Sequence, residues 1–449
     1  MDDTIVAIST ALGEGAISII RMSGNEAVTI LKKVFKHKNL DSIKSHTIYY
    51  GYIVDREDII DEVLVSIMLK PKTYTREDVV EINAHGGITT TNKILEVLIK
   101  NGARLALAGE FTKRAFLNGR IDLIQADSIN NLIETKSDAG RKVFINGLSG
   151  KTSSLIRSLR DELVTILGNI EVNIDYPEYT DIEEITNEKF KCSLNLFADK
   201  LKTIIKNSEN GMVLTSSIKV GIIGRPNVGK SSLLNALLEE DKAIVTDIPG
   251  TTRDIVEGSI NLDGIILNVI DTAGIRNTDD VVEKIGVSKS LSIIDNSDLI
   301  ILILNNNDYI DKDDLELLDK TKDMKRIIVV NKIDLDNKLD KNMLDDYIEI
   351  SVKEDIGIDL IKDKIKNLFN LGEINLNNDC ILTNIKNIGF MKKALDKINT
   401  AINNIDNDLP IDMVEFDVRS SWEILGEIIG ETYSEEFLDN LFSKFCLGK

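Results

Sequence analysis

The sequence predicts a multidomain α/β protein, and three observations carry that prediction. Residues 218–371 alternate buried apolar runs with helical segments, the signature of a mostly parallel sheet in α/β layers. Long amphipathic helical stretches lie both before and after that unit. The first 120 residues have a third texture, short β-branched runs mixed with Gly turns and helices, which reads as α+β. Helical flanks on both sides of an α/β unit imply one helical domain with the α/β domain inserted in it. The expected division is therefore residues 1–120, an N-terminal α+β domain; 121–212, the first helical part; 213–374, the insert; and 375–449, the second helical part. A chain of 449 residues accommodates such a count.

Each element has a local reason. Ile5-Val6-Ala7-Ile8 and Ala16-Ile17-Ser18-Ile19-Ile20 are the first strands. Leu123, Ala126, Ile129 and Leu132, then Leu155, Leu159, Leu163 and Leu167, recur at helical spacing. Pro177 among Asp175, Glu178, Asp181, Glu183 and Glu184 marks a loop between helices. In the insert the strands are Ile218–Ile223, Ile265–Ile270, Leu299–Leu304, Ile327–Val330 and Tyr347–Ile350. The run Asn305-Asn306-Asn307-Asp308 and the Asp/Lys-rich stretch after it read as a solvated surface loop. After Asn377 the pattern is helical again as far as Leu441.

Composition narrows the function. With 43% hydrophobic and 29% charged residues the chain can build sizeable cores and is not a disordered one. A net charge of −20 excludes a broad electrostatic clamp on a polyanion, so nucleic acid must be met through a local patch or a basic partner. Cys192, Cys380 and Cys446 are too far apart for a zinc spacing or a disulfide framework, which fits a reducing cytoplasm. The acidic start Met1-Asp2-Asp3-Thr4 has no signal-peptide pattern. The longest apolar run, Leu299–Leu304, is strand length, so no membrane span is expected.

The sharpest signal is Gly224-Arg225-Pro226-Asn227-Val228-Gly229-Lys230-Ser231, a complete G-x-x-x-x-G-K-S between a buried strand and the helical run that begins at Ser232. Backbone N–H groups at such a turn curl around phosphates at a helix N-terminus, where the dipole also favours anions. The expected phosphate set is Asn227, Val228, Gly229, Lys230, Ser231 and Ser232. Lys230 reaches the β- and γ-phosphate oxygens and Ser231 takes Mg²⁺. Asp271, Thr272, Ala273 and Gly274 close the next strand, where a carboxylate holds Mg²⁺ through water and Gly274 senses the γ-phosphate. Asn331, Lys332 and Asp334 follow the strand Ile327–Val330, and the Asp334 carboxylate can accept two guanine N–H donors that adenine lacks. Ser351, Val352 and Lys353 form the last guanine loop, with Val352 where Ala is usual. Four motifs in this order specify a Ras-like P-loop domain that binds guanine nucleotide.

Ile275 occupies the place where Ras-like enzymes carry the Gln that orients water, so another group must do so. The loop Thr246, Asp247, Ile248, Pro249, Gly250, Thr251, Thr252 offers Thr252 as a second Mg²⁺ ligand and several carbonyls. Together with the Asn227 side-chain oxygen these suit a monovalent cation such as K⁺; the alternative is that Asn227 braces its own loop.

With these motifs, the Gly250-Thr251-Thr252-Arg253-Asp254 loop and the tail Phe445-Cys446-Leu447-Gly448-Lys449, the chain resembles the MnmE (TrmE) family of tRNA modification GTPases. The resemblance runs its whole length, through Thr4-Ile5-Val6-Ala7 and Gly109-Glu110-Phe111-Thr112-Lys113-Arg114-Ala115-Phe116-Leu117-Asn118-Gly119-Arg120. It implies an N-terminal folate-binding and dimerisation domain, a helical domain, an inserted G domain and a homodimer whose G domains are K⁺-activated. It places Asn227, Thr246, Ile248 and Thr251 around K⁺, Ser231 and Thr252 on Mg²⁺, and Glu283 beside the attacking water with Lys230 as the other catalytic residue. By residues alone Glu283 is an ordinary acid in Val281-Val282-Glu283-Lys284-Ile285-Gly286.

The N-terminal domain resembles the folate-binding fold of aminomethyltransferases. Arg21, Glu81 and Arg120 match its folate contacts, and Lys449 reaches in from the tail. A carboxylate such as Glu81 pairs well with a pterin N–H edge; without the resemblance, Arg21 and Glu81 read as a surface ion pair. Arg120 stands where Lys is common, Ala11-Leu12 replaces Pro-Pro, and Arg76 replaces Gly. Cys446 is a candidate functional thiol, as nucleophile or organiser. His85 reads as structural, and Trp422 as core or partner surface. The implied reaction, shared with an FAD-dependent MnmG partner that carries most of the tRNA contact, places an aminomethyl or carboxymethylaminomethyl group on C5 of the wobble uridine. The one-carbon source is a 5-formyl or 5,10-methylene tetrahydrofolate. The competing reading is an RNA-binding or ribosome-assembly GTPase, which usually appends a basic module absent from this sequence.

Overall fold

A computed structural model describes residues 3–37, 43–135, 137–175, 187–215, 217–240, 256–262, 265–270, 293–369, 381–431, 435–443, 445 and 448. The chain forms two compact units. One comprises Met1–Ile133, Gly147–Phe190 and Asp396–Lys449, the other Glu134–Asn146 and Lys191–Leu395.

In the first unit, β1 (Ile5–Ile8), β2 (Gly15–Ser23), β3 (Phe35–Lys36), β4 (Thr47–Asp55), β5 (Asp58–Met68), β6 (Val79–Gly86) and β7 (Arg104–Leu105) form one sheet in the order β3-β4-β5-β6-β2-β1-β7. Pairing is antiparallel except between β1 and β7. Alternation decides which side is core: Ile20, Met22, Val65, Ile67, Val80 and Ile82 point toward the helices Ala27–Val34 and Ile88–Lys100 and are buried with Leu31, Ile94 and Leu98. The opposite face keeps Ile17, Ile48, Tyr50 and Leu64 exposed.

The helices Leu123–Glu134, Lys151–Asp175, Ile411–Ile429 and Glu435–Phe442 belong mainly to this unit. Trp422 lies within it, under the nearly buried Arg160, whose guanidinium carbon is 4.0 Å from the ring centre and which also pairs with Glu431. Gly109 is required where it stands. Its φ is +67°, and a Cβ there would collide with the Phe442 carbonyl, so the helix Glu110–Leu117 and the last helix meet on bare backbone. Along the same helix, Arg114 is 1% exposed and bonds Asp3 at 2.7 Å, Glu110 at 3.1 Å and Glu77 at 3.2 Å. A buried guanidinium without those partners would be strongly destabilising.

In the second unit, β8 (Ile218–Ile223), β9 (Val256–Leu262), β10 (Ile265–Ile270), β11 (Leu299–Asn305), β12 (Arg326–Asn331) and β13 (Tyr347–Glu349) form a sheet in the order β13-β12-β11-β8-β10-β9. All neighbours are parallel except the edge pair β9 and β10. The helices Lys230–Glu240 and Ile358–Leu368 pack Leu233, Leu237, Ile361 and Ile365 on one side of the buried strands. This is the multidomain α/β architecture expected, with an inserted P-loop domain of mostly parallel sheet. One expectation needs correction. The stretch after β11 is not a solvated loop: Asn305 and Asn306 are buried, and Lys312–Lys320 is a helix. Asn305 bonds Asp308 and the N–H of Asn307, Asn306 reaches the Leu335 carbonyl, and Asp311 with Asp314 makes a capping box for the helix. Local polar partners let a polar run fold inward.

Candidate functional site: a phosphate loop and a second polar cluster

Six residues separate the end of β8 from the helix Lys230–Glu240. Three of them, Gly224 (φ +148°), Asn227 (φ +63°) and Gly229 (φ +105°), hold positive φ, the alternation that turns successive N–H groups toward one anion. A Cβ at Gly224 would collide with the Ile303 carbonyl of β11, and one at Gly229 with the Asn331 amide, so only glycine fits.

The loop's carbonyls are tied back. Lys230 Nζ donates to Gly224 O at 2.7 Å and to Arg225 O at 2.6 Å. Lys332 Nζ donates to Asn227 O at 2.7 Å, and Asn331 Nδ2 donates to Val228 O at 2.8 Å. With these acceptors satisfied, the loop offers its N–H donors, the helix N-terminus and Lys230 to an anion. Burial pushes the Lys230 ammonium below the ordinary lysine value, the direction expected of a cation waiting in a site that a phosphate would complete.

The end expected from the sequence to read the base is built on Asn331, which is 3% exposed at the end of β12. Its Oδ1 accepts the N–H of Lys332 at 2.8 Å and of Val352 at 3.3 Å. Thus one side chain joins the loops 224–229, 331–334 and 351–353. Ser351, fully buried, donates its hydroxyl to Asp334 Oδ1 at 2.7 Å and accepts the Glu354 N–H at 3.2 Å. Asp334 remains exposed, with one carboxylate oxygen held by Ser351 and the other open to solvent or a ligand. Ser231 is half-buried in the first turn of its helix, and Asn227, Ser232 and Lys353 are exposed. Thr246 to Thr252, Asp271 to Gly274, Ile275 and Glu283 lie outside the described residues, as do Cys446 and Lys449.

One residue of the loop points elsewhere. Arg225 forks onto Asp311 (2.6 Å) and Asp314 (3.0 Å), with Asp308 at 3.7 Å. Asp314 is 1% exposed; burial raises its carboxyl above the ordinary value, partly opposed by the Asp311 backbone N–H and the Arg225 charge. The sequence reading missed this cluster because a capping box and a remote Arg leave no joint spacing.

In the first unit, Arg21 on β2 and Glu81 on β6 are register partners, joined at 2.7 Å and half-buried. Arg21 Nη1 donates to Gly448 O at 3.4 Å, and Ser9 Oγ donates to the same carbonyl at 3.2 Å. Gly448 has φ +91°, and a Cβ on it would strike the Ile8 carbonyl, so the chain's penultimate residue is set into the N-terminal sheet. Tyr74, not singled out in advance, sits between the cations: Arg120 Cζ is 4.7 Å and Arg21 Cζ 5.7 Å from its ring centre. Its hydroxyl bonds Thr112 at 2.9 Å. His85 pairs with Asp61 at 2.7 Å. Among the described residues no cluster of His, Cys, Asp or Glu is arranged to hold a metal, and no helix is long and apolar enough to cross a membrane.

Comparisons with known proteins bear directly on this geometry. Residues 123–446 match the profile described as the MnmE helical domain, and residues 4–120 match that of the GTP-binding protein TrmE N-terminus. The tRNA modification GTPase MnmE of Streptococcus thermophilus (strain CNRZ 1066) is 49% identical over 450 residues, covering 100% of this chain and 98% of its own. That of Bacillus licheniformis (strain ATCC 14580) is 48% identical over 458 residues, covering 100% of each. Among solved structures, Era in complex with MgGDPNP and nucleotides 1506–1542 of 16S ribosomal RNA is 27% identical, covers 34% of this chain and 56% of that one, and has a TM-score of 0.25. A phosphate loop fastened to a guanine-reading loop, carried on a chain alike from end to end to these relatives, places the protein in the MnmE family of tRNA modification GTPases, enzymes that hydrolyse GTP in the course of tRNA modification.

Proposed function

We propose that this GTPase is K⁺-activated, acts in the cytoplasm as a homodimer with an FAD-dependent MnmG-type partner, and installs an aminomethyl or carboxymethylaminomethyl group at C5 of the tRNA wobble uridine. The observation that carries the reading is the half-buried Arg21–Glu81 pair beside the Gly448 carbonyl, a polar cluster on the N-terminal sheet. In this reading Glu81 would accept N–H donors from a pterin edge, and Arg21 and Arg120, which flank Tyr74, would be cationic partners for a formyl oxygen or glutamate tail. A bound tetrahydrofolate would supply the one-carbon unit. Lys449, next to Gly448, and Cys446 are the tail's contribution in this reading.

In the G domain, Lys230 and the loop Asn227–Ser232 would hold the phosphates, Ser231 and Thr252 would ligate Mg²⁺, and Asp271 would hold it through water. Asn227, Thr246, Ile248 and Thr251 would surround K⁺, whose charge would stand in for an arginine finger. Of this set Asn227 is the described member, exposed in the phosphate loop with a left-handed φ. Asp334 with Ser351, Val352 and Lys353 would read guanine, and Glu283 would orient water.

The dimer is supported by the open sheet face of the first unit. Tyr50 opposes Leu64, Ile48 opposes Ser66, and the same face runs on through Glu81 to Arg21. Ile17, Ile48, Tyr50 and Leu64 are 48–64% exposed, an apolar surface of the kind that marks association.

The test is mass spectrometry of tRNA nucleosides from cells lacking the protein. Loss of the C5 aminomethyl-type modification, restored by the wild-type chain but not by Lys230→Ala, is expected. Intact wobble uridines would reject the reading and leave a GTPase acting elsewhere.

A further inference from the structure

We infer that Arg225 is a positioning residue for GTP hydrolysis, holding the turn Arg225–Pro226–Asn227 so that the Asn227 side chain keeps its place at the nucleotide's cation; this rests on the K⁺ reading above. Arg225 stands in the phosphate loop, yet its guanidinium turns away from the phosphates onto the start of the helix Lys312–Lys320. Nη1 meets Asp311 at 2.6 Å, Nε meets Asp314 at 3.0 Å, and Nη2 donates to the Tyr309 carbonyl at 3.5 Å. Asp311 is the helix N-cap and accepts the N–H groups of Asp313 and Asp314 at 2.9 Å and 3.1 Å, while Asp314 accepts the Asp311 N–H at 3.3 Å. The acceptors are therefore fixed by the helix cap, not free to follow the arginine.

The main chain of the same residue is held from the other side, because Lys230 Nζ bonds Arg225 O. Two residues on, Asn227 has φ +63°, the left-handed region that asparagine tolerates better than most residues other than glycine. The Asn227 carbonyl is held by Lys332. The turn is thus pinned before and after Asn227 by charge-assisted bonds, and among the described residues the Arg225 fork is the one such tie that does not pass through a side chain assigned above to phosphate or guanine. A guanidinium already forked onto Asp311 and Asp314, with Asp308 nearby, is engaged away from the role of an arginine finger.

The experiment uses the full chain. GTP hydrolysis is measured as KCl replaces NaCl at constant ionic strength, and mant-GDP affinity is measured in parallel. Arg225→Gln is expected to raise the half-activating K⁺ concentration about tenfold, the scale of losing a charge-assisted hydrogen bond, while mant-GDP affinity changes less than about twofold. Arg225→Lys keeps the charge without the fork and is expected between the two. Should Arg225→Gln fail to fold, Asp311→Asn keeps a competent N-cap and removes one carboxylate, with an expected shift of about threefold. A K⁺ curve in these variants that superimposes on the wild type overturns the inference, as does a mant-GDP affinity that falls in step with it, the mark of a merely collapsed loop. Equal wild-type rates in KCl and NaCl would instead remove the K⁺ reading, and this inference with it.

Discussion

The Asn331 side-chain amide donates to the Val228 carbonyl at 2.8 Å, across 103 positions of sequence, and that bond ties the loop after β12 to the phosphate loop. Asn331 Oδ1 meanwhile accepts from Lys332 and Val352, so both halves of the amide are in use inside the protein. In the proposed nucleotide site the residue would act on guanine through the loops it joins.

Truncating it tests that role. Asn331→Ala removes the Asn331 partner of the buried Val228 carbonyl and of the Lys332 and Val352 N–H groups, a loss of about 2 kcal/mol or about thirtyfold in affinity. A mant-GDP titration is expected to show that weakening, together with a Tm lower by a few degrees. An unchanged affinity would mean that the loops hold their relation without the amide.

Asp334 offers a change of specificity. Ser351 Oγ–H fixes Oδ1 of Asp334, which leaves the rest of the carboxylate to face a base as a pure acceptor. Guanine presents N–H groups at N1 and at the exocyclic amine; xanthine presents a carbonyl in place of that amine. Asp334→Asn therefore sets a donor against a donor for guanine, and affinity for GTP is expected to fall about a hundredfold or more. XTP, which accepts from the new amide, is expected to bind better than GTP. A variant that still prefers GTP would take Asp334 out of the base site.

How much of this was legible beforehand follows from where each signal resides. The strand–loop–helix at Gly224–Ser231 and the motif after β12 were readable because phosphate and guanine chemistry is compressed into contiguous residues beside fully apolar strands. β9, Val256–Leu262, escaped, since Glu257, Ser259 and Asn261 give an edge strand little apolar content. The helix Lys312–Lys320 escaped for the opposite reason: its Asp-rich start looks like solvated charge, yet Asp311 and Asp314 are its cap. The Arg21–Gly448 bond spans 427 positions, and no local pattern encodes it. Glu81 and Arg21 came through resemblance alone, and the register of β2 with β6 is the physical reason they meet.

Arg76 departs from the glycine expected by resemblance, and its backbone explains that preference, with φ at +59°. The guanidinium donates to the Asn118 carbonyl at 2.8 Å, which offsets part of the strain. Arg76→Ala keeps the strained φ and loses the bond, and is expected to destabilise by about 1 kcal/mol. Arg76→Gly loses the bond and the strain together and is expected to be within about 0.5 kcal/mol of the wild type. Urea denaturation gives the order directly; an alanine variant as stable as the glycine one would show that φ carries no cost there.

His85 supplies a prediction in pH. Asp61 accepts both its backbone N–H at 2.8 Å and its ring Nδ1 at 2.7 Å, and that side-chain bond, followed by the charge of Asp61, raises the imidazole above the ordinary 6.5; Glu62 adds to the same direction, while desolvation opposes it. A histidine with a raised folded value stabilises the fold fully below its unfolded value, and the contribution is lost as pH climbs through the folded one. With three histidines in the chain, proton–carbon NMR of the imidazoles is expected to show His85 titrating above 6.5, and Asp61→Asn to bring it down. His85 is also the register partner of Ile17 on the open sheet face where the second copy is proposed to sit. A His85 midpoint at or below 6.5 would mean that the Asp61 contact does not persist in solution, and the pH dependence would have to come from another group.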